Sequence, residues 1–235
     1  MHEGPIADRI ISISELLYTS GRPSGINIPT FPDELRKSET PERSIEFAAA
    51  TVSDRLVLAA LVKRYSPKRL FEIGTFRGVT AITLAANAPP DAVLFTLDLP
   101  PELDSAEVAN RFYAYNSSSG FHQMAAAGAA RGVGQLIGLY DDDVCKIEQL
   151  YGDAAIFDFS PYEKSIDLFF VDGCHEESAV LRDTRQAWKC LRPGGLMVWH
   201  DYPWDSVQNA IREADLKHEV TWVEGTNVAF CQRRD

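Results

Sequence analysis

Basic side chains, long apolar runs and clustered cysteines are all scarce in this sequence of 235 residues. It has 23 Lys and Arg against 34 Asp and Glu, which gives a formal net charge of −11 at pH 7. Counterion release by Lys and Arg supplies most of the affinity for a phosphate backbone, so this balance argues against a nucleic-acid partner. No apolar run approaches the roughly 20 residues that a membrane-spanning helix needs, so we expect no membrane partner.

Neither the cysteines nor the first residues indicate a secreted protein. Four cysteines lie far apart without C-x-x-C spacing, so neither a zinc site nor a disulfide scaffold is indicated. The stretch from Met1 to Pro5 lacks the basic and apolar regions of a signal peptide. We therefore expect a cytoplasmic protein with reduced thiols.

Two parts of unequal regularity divide the chain. Residues 1–51 contain many glycines and prolines and little periodicity, which predicts an N-terminal arm. The arm either forms a lid over a ligand site or packs on the surface, where it could contribute to a homo-oligomer. The whole chain is 45% apolar, and residues 52–235 are long enough to bury one core, so they predict a single enzyme domain.

Apolar runs and helical patterns alternate through this domain, which is the signature of a parallel sheet with crossover helices. A helix over Ser53–Tyr65, with Ser53 as N-cap, leads into a buried strand that begins at Arg69. Residues 100–143 are irregular and predict a helix with an inserted loop, either near the active-site mouth or as a solvated connection. Further helices are predicted at 79–88, 177–191 and 206–214, further strands at 92–99, 146–151, 167–171 and 196–199, and an antiparallel edge hairpin at 219–223 and 227–232.

The loop after the first buried strand is the most informative segment. It has Glu72, then Gly74 and Gly78, where a dinucleotide-binding loop would have three close-set glycines. The carboxylate of Glu72 would repel a pyrophosphate. A ligand that suits this loop has no phosphate and carries positive charge, as S-adenosylmethionine does.

Polar residues recur where the other apolar runs end. Ligands of open parallel sheets bind outside the carboxyl ends of the strands, so these residues should converge on one rim. Asp98 ends the next strand after Glu72 and could accept hydrogen bonds from both hydroxyls of a ribose. The remaining strand ends carry Gly152 and Asp153, Asp172 and Gly173, and His200 and Asp201.

These features resemble the class I S-adenosylmethionine-dependent methyltransferases, over roughly Ser53 to Gln232. The similarity is greatest to a small-molecule branch with the motifs GDS-x-x-F-D-F-S-P-Y, DG-x-H, and L-x-P-G-G followed by H-D-Y. This chain departs twice, with Ala154 in place of serine and Glu177 where the branch has an aromatic residue. The matching segments are Gly152–Tyr162, Asp172–His175, Leu191–Gly195 and His200–Tyr202.

The resemblance implies a fold and a set of cofactor-binding residues. The fold is an α/β Rossmann-like sheet of seven strands, mostly parallel with an antiparallel edge hairpin, with helices on both faces. Read singly, the glycines could instead serve turns with positive φ, and Asp98 and Asp153 could cap helices. The residues implied to contact S-adenosylmethionine are Glu72, Gly74, Thr75, Gly78, Asp98, Leu99, Asp153, Ala154 and Asp172.

The chemistry is expected from the residues after the last two parallel strands. Removal of a proton from an acceptor hydroxyl suits a histidine, so His175 or His200 is the candidate base, with Asp172 beside it. The alternative is that a histidine only orders the loop. Metal-dependent O-methyltransferases resemble this layout too, which makes Asp172, His200 and Asp201 candidate ligands of a divalent ion. Magnesium prefers oxygen ligands, so a histidine in the set leaves manganese or another transition ion as the alternative.

The resemblance therefore implies methyl transfer from S-adenosylmethionine to a small molecule, with a hydroxyl as the favoured acceptor. Two alternatives stay open. The protein could bind S-adenosylmethionine without turnover, as a regulatory module, or it could use the same pocket for another adenosyl compound.

Overall fold

The computed structural model describes residues 7–18, 25–30, 50–100, 132–140 and 144–235. Most of the predicted arm therefore lies outside the described residues, as do residues 101–131 and 141–143 of the segment 100–143, for which a helix and an inserted loop were predicted. The described part holds five α-helices and one sheet. No helix in it is long and apolar enough to cross a membrane.

The eight strands of the sheet are β1 (Arg9–Ile11), β2 (Arg69–Ile73), β3 (Val93–Asp98), β4 (Lys146–Tyr151), β5 (Ile166–Val171), β6 (Leu191–Trp199), β7 (Thr221–Val223) and β8 (Ala229–Gln232). Their order in the sheet is β1-β7-β8-β6-β5-β2-β3-β4. The pairs that involve β8 are antiparallel and all the others are parallel. This confirms the mostly parallel sheet with an antiparallel hairpin.

The eighth strand, one more than the predicted seven, comes from the N-terminal arm. Strand β1 pairs in parallel with β7, so the hairpin does not form the outer edge of the sheet. Further along, the carbonyl of Pro29 accepts a hydrogen bond from Arg55, and Asn27 bonds to Asn87. The described pieces of the arm thus pack on the domain, while the division at residue 51 stays a prediction.

Two apolar layers cover the sheet because successive strand residues point to opposite faces. Leu70 and Leu94 belong to one layer, whereas their neighbours Phe71 and Phe95 belong to the other. The helices are α1 (Ile13–Tyr18), α2 (Val52–Tyr65), α3 (Val79–Asn87), α4 (Glu177–Cys190) and α5 (Asp205–Ala214). The first layer packs against helices α1–α3 and the second against α4 and α5.

Helix α2 begins two residues earlier than its predicted cap would allow. Thr51, and not Ser53, is the N-cap: its hydroxyl accepts from the amide of Asp54, whose carboxylate accepts from the amide of Thr51. This reciprocal capping box satisfies two amides that a helix start leaves without partners.

The strand order reverses between β2 and β5, and the backbone is tightly packed there. Gly74 follows β2 with φ of 102°, and a Cβ on it would lie 1.9 Å from the carbonyl oxygen of Asp172. The amide of Gly74 donates to Leu97 and that of Asp172 donates to Ile73. Only glycine fits this crossing point, which brings the ends of β2, β3 and β5 together.

A Gly74→Ala substitution should therefore destabilise the protein by about 2–5 kcal/mol, from the left-handed φ and the clash together. Gly225→Ala is the matched control, because Gly225 has φ of 79° with open space around its Cβ position. The control should lose only about 1–2 kcal/mol. Urea denaturation measures both free energies of unfolding, and equal losses would contradict the proposed clash.

Candidate active site at the carboxyl ends of the strands

The predicted site residues lie along one rim of the sheet, at the ends of five parallel strands. Glu72 and Gly74 belong to the end of β2, Asp98 to β3, and the turn of Gly152 and Asp153 to β4. Asp172 follows β5, and His200 and Asp201 follow β6. The rim includes the position where strand order reverses, which is where ligands of open α/β sheets bind.

Glu72 is fully buried, which is unusual for a carboxylate. Burial raises the pKa of Glu72 to about 8, against the opposing effect of the Thr80 and Thr96 hydroxyls, and the charges of Asp172 and Asp98 raise it further. The Thr96 hydroxyl donates to Oε2. Among the described residues, no hydrogen bond of good geometry reaches the buried Oε1. An unpartnered buried carboxylate oxygen suits a bound cation.

Asp98 holds the loop that follows β2. Its Oδ2 accepts from the amide of Phe76 and its Oδ1 from the amide of Leu99, both at 2.7 Å. Burial raises the pKa of Asp98, although these two amides oppose the shift. Since a carboxylate has about four acceptor positions, both oxygens can still accept from a ligand.

The loop glycines fit the turn interpretation as well as the binding one. Gly74 and Gly78 both have positive φ, at 102° and 93°. A Cβ on Gly78 would lie 2.8 Å from a side-chain carbon of Ile137, in a short 3₁₀ helix at Ile137–Leu139. In the turn after β4, Asp153 accepts from the amide of Ala155 at 2.8 Å, so it stabilises its own turn.

Two histidines and two aspartates meet after β5 and β6. His175 Nε2 lies 2.8 Å from Asp201 Oδ2. His200 Nδ1 lies 3.2 Å from the same oxygen and 3.3 Å from Asp172 Oδ1. Asp201 has φ of 51°, which is uncommon for a residue with a side chain and marks a constrained position. The sequence motifs DG-x-H and H-D-Y are thus brought into one cluster.

The pKa values of the two histidines are both raised, that of His200 more strongly. Burial alone would lower the pKa of His200, but the charge of Asp172 and hydrogen bonds with three carboxylates raise it well above the usual value. Burial lowers the pKa of His175, but its hydrogen bond to Asp201 and the charges of Asp201 and Asp172 together raise it above the usual value. In return, His175 and His200 hold the pKa of Asp201 below its usual range despite burial.

Asp54 is a member of this network that the sequence analysis missed. Its Oδ2 lies 3.4 Å from His200 Nε2, so both ring nitrogens of His200 face carboxylates. The signal that could have drawn attention to Asp54 is the capping pattern Thr51-x-x-Asp54, although that pattern predicts a helix start and no contact with the site.

Trp204 was missed as well. It precedes helix α5, is 38% exposed, and its ring centre lies 5.0 Å from that of His175. An exposed aromatic ring beside a candidate base can line the entrance for an acceptor.

The side chains that lie close enough together to bind a metal ion differ from the predicted ligands in one residue, because His175 takes the place of His200. Ligand atoms of Asp172, His175 and Asp201 all lie within 4.8 Å of one another. His200 is directed at Asp54 through Nε2, while its Nδ1 contacts Asp172 and Asp201 at hydrogen-bond distances. One nitrogen and two carboxylate oxygens suit a transition ion better than magnesium.

Comparison with known proteins agrees with the fold. A family model described as a methyltransferase domain matches residues 71–202, more than half of the chain. No curated protein sequence matches the chain.

Several solved structures share the architecture at low sequence identity. A proposed O-methyltransferase from Klebsiella pneumoniae is 21% identical, with a TM-score of 0.54 over 88% of this chain and 92% of that one. Cofactor-bound Rv0187 from MTB is 20% identical, with a TM-score of 0.52 over 80% and 83%. SAH-bound methyltransferase PaMTH1 from Podospora anserina is 16% identical, with a TM-score of 0.51 over 87% and 82%.

At these identities the structural likenesses establish the fold, and the family model establishes the family. The chain therefore belongs to the methyltransferase-domain family, with the fold of the class I S-adenosylmethionine-dependent methyltransferases that its motifs resemble.

Proposed function

We propose that the protein transfers a methyl group from S-adenosylmethionine to a hydroxyl of a small molecule. The observation that carries this proposal is the His175–Asp201 pair, which lies on the same rim as the buried Glu72. A base and a cation-binding carboxylate at one rim are what the two halves of such a reaction require. The likeness to a proposed O-methyltransferase from Klebsiella pneumoniae is in keeping with a hydroxyl acceptor.

The fit to the cofactor rests on the charge and hydrogen-bonding capacity of the rim. Glu72, with its unpartnered Oε1, suits the cationic methionine end, and Gly74, Thr75 and Gly78 form the adjacent loop. Asp98 and Leu99 would hold the ribose. When bound, S-adenosylmethionine supplies a methyl group already activated by a sulfonium. The adenine would lie against Asp153 and Ala154, with Asp172 nearby.

The acceptor's proton is assigned to His175. A hydrogen bond from Nε2–H to Asp201 fixes the orientation of the ring. The Asp201 carboxylate also stabilises the imidazolium that forms when His175 takes up the proton, as a paired carboxylate does for other histidine bases. His200 suits this role less well, because carboxylates face both of its nitrogens.

A divalent ion is the second way to activate a hydroxyl at this site. Asp172, His175 and Asp201 would hold it, with His175 in the place for which the sequence suggested His200. Such an ion would act as a Lewis acid that lowers the pKa of the acceptor hydroxyl. His175 cannot ligate the ion and act as base at once, so the two mechanisms are separable by experiment.

The other sequence-based expectations stay predictions. These are a cytoplasmic location, the lack of a nucleic-acid partner, and a role of the arm as lid or in a homo-oligomer.

A screen of phenols, sugars and carboxylates for release of S-adenosylhomocysteine tests the function. With an accepted substrate, His175→Ala should lower turnover by roughly 100-fold or more, the usual span of general-base effects. His218→Ala is the control, since His218 bonds to the carbonyl of Leu216 and packs on Trp188, outside the cluster. It should leave turnover unchanged.

Treatment with a chelator assigns the mechanism in the same assay. If His175 is the base, turnover survives the chelator. If a metal does the work, the chelator abolishes turnover, manganese restores it, and Asp172→Ala and Asp201→Ala are as damaging as His175→Ala. Chelator-insensitive turnover that survives His175→Ala would contradict both mechanisms.

The buried Glu72 predicts a dependence of stability on pH. Its pKa in the folded protein, about 8, lies above the ordinary value of 4.5, so the folded state binds the proton more tightly than the unfolded one. Stability from this group is present below about pH 4.5 and is lost as the pH rises through 8. Glu72→Gln, which mimics the protonated form, should therefore gain stability relative to the wild type between pH 5 and pH 8.

Urea denaturation at several pH values measures this difference. Glu219→Gln, at an exposed position, is the matched control and should run parallel to the wild type. A constant gap between Glu72→Gln and the wild type across this range would contradict the raised pKa.

A further inference from the structure

Helix α2 supplies a buried carboxylate to the histidine cluster, although no motif placed this helix at the site. Asp54 is fully buried. Its Oδ1 accepts from the amide of Asn227 at 2.8 Å. Its Oδ2 accepts from the Asn227 side chain at 3.1 Å and from the Thr51 hydroxyl at 2.7 Å, and faces His200 Nε2 at 3.4 Å.

A capping box accounts for only part of this arrangement. The box needs the contacts between Asp54 and Thr51, and these are satisfied locally. Asn227 and His200 are 173 and 146 residues away in sequence, and both still direct polar atoms at the same carboxylate. A buried carboxylate is costly unless it is paired, and His200 is the ionisable partner that these contacts provide.

The contacts continue from His200 to the candidate base. His200 Nδ1 lies 3.2 Å from Asp201 Oδ2, and this oxygen lies 2.8 Å from His175 Nε2. A five-membered ring held at both nitrogens cannot rotate without breaking a contact. The orientation of the Asp201 carboxylate therefore depends on the His200 ring, whose other nitrogen contacts Asp54.

We propose that Asp54 is a positioning residue of the active site, which fixes the His200 ring so that Asp201 is held in place for His175. The inference rests on the proposed function, because it explains the contacts of Asp54 and His200 by the role of His175 as the base. Asp54 touches neither acceptor nor cofactor in this scheme and acts through His200.

The test compares variants that break the two roles of Asp54 separately. Asp54→Asn removes the negative charge opposite His200 Nε2, and its single acceptor oxygen cannot replace both carboxylate oxygens, so the contacts with His200 and with the amide of Asn227 cannot both be kept. Thr51→Ala is the matched control, because it removes the capping hydroxyl and keeps the carboxylate opposite His200. His200→Gln breaks the same link from the other side while the capping box stays intact.

Two readouts follow the positioning role. The first is turnover of the accepted substrate, where Asp54→Asn should lower kcat at least 10-fold while the Kd for S-adenosylhomocysteine stays within about 2-fold of the wild type, the general-base span being 100-fold or more. The second is the ring resonances of His175 in ¹H–¹⁵N spectra, which should be displaced in Asp54→Asn and His200→Gln. Thr51→Ala should change neither readout.

The outcomes separate this inference from the proposed function. Displaced His175 resonances in Asp54→Asn and His200→Gln, with an unchanged Thr51→Ala spectrum, support the positioning role even if no substrate is turned over, in which case the proposed function fails alone. Equal effects of Thr51→Ala and Asp54→Asn would reduce Asp54 to a helix cap and overturn the proposal. If Asp54→Asn does not fold, an unchanged His175 spectrum in His200→Gln overturns it.

Discussion

The close approach of Gly74 to the backbone of Asp172 is the constraint on which the rest of the site depends. Here β2 and β5 run side by side, the chain leaves them in different directions, and no side chain fits between them. The contact sets the distance between the segment from Glu72 to Gly78 and the loop that carries Asp172 and His175. The proposed cofactor and acceptor sites are thereby held side by side.

The acidic residues of this rim fall into two pairs, one with raised and one with lowered pKa values. Glu72 is fully buried and Asp98 is half-buried, and burial raises both of their pKa values, so the free protein disfavours their charge. Asp54 and Asp201 have lowered pKa values, because histidines pair with them. The first pair therefore suits a cationic ligand that would stabilise the ionised form, and the second pair suits a fixed scaffold for His175.

The sequence predicted the features that depend on local pattern. The β4 strand has its predicted bounds at Lys146–Tyr151. Helix α4 differs from its prediction by one residue, because its buried residues recur at helical spacing. Strand β6 was predicted from Leu196, yet it begins at Leu191. Pro193 and two glycines suggested a break, whereas backbone bonds between Gly194, Gly195 and Arg233 continue the sheet through an irregularity in the pairing with β5.

Features that depend on contacts between residues far apart in the chain could not be predicted from the sequence. The pairing of β1 with β7 joins segments at opposite ends of the chain, and no periodic pattern encodes it. Asp54 and His200 are likewise far apart in sequence. The motifs therefore indicated which residues meet at the rim, while the roles proposed for His175 and His200 depend on which carboxylates face each ring.

The central claim is that this rim binds an adenosyl cofactor, and calorimetric titration with S-adenosylhomocysteine tests it most directly. The wild type should bind, and Asp98→Ala should bind about 10- to 100-fold more weakly, as expected when a charge-assisted hydrogen bond of about 1.5–3 kcal/mol is lost. Asp91→Ala, an exposed aspartate paired with Lys68 just before the same strand, should bind like the wild type. An absence of binding to the wild type, or equal affinity in Asp98→Ala, would contradict the account.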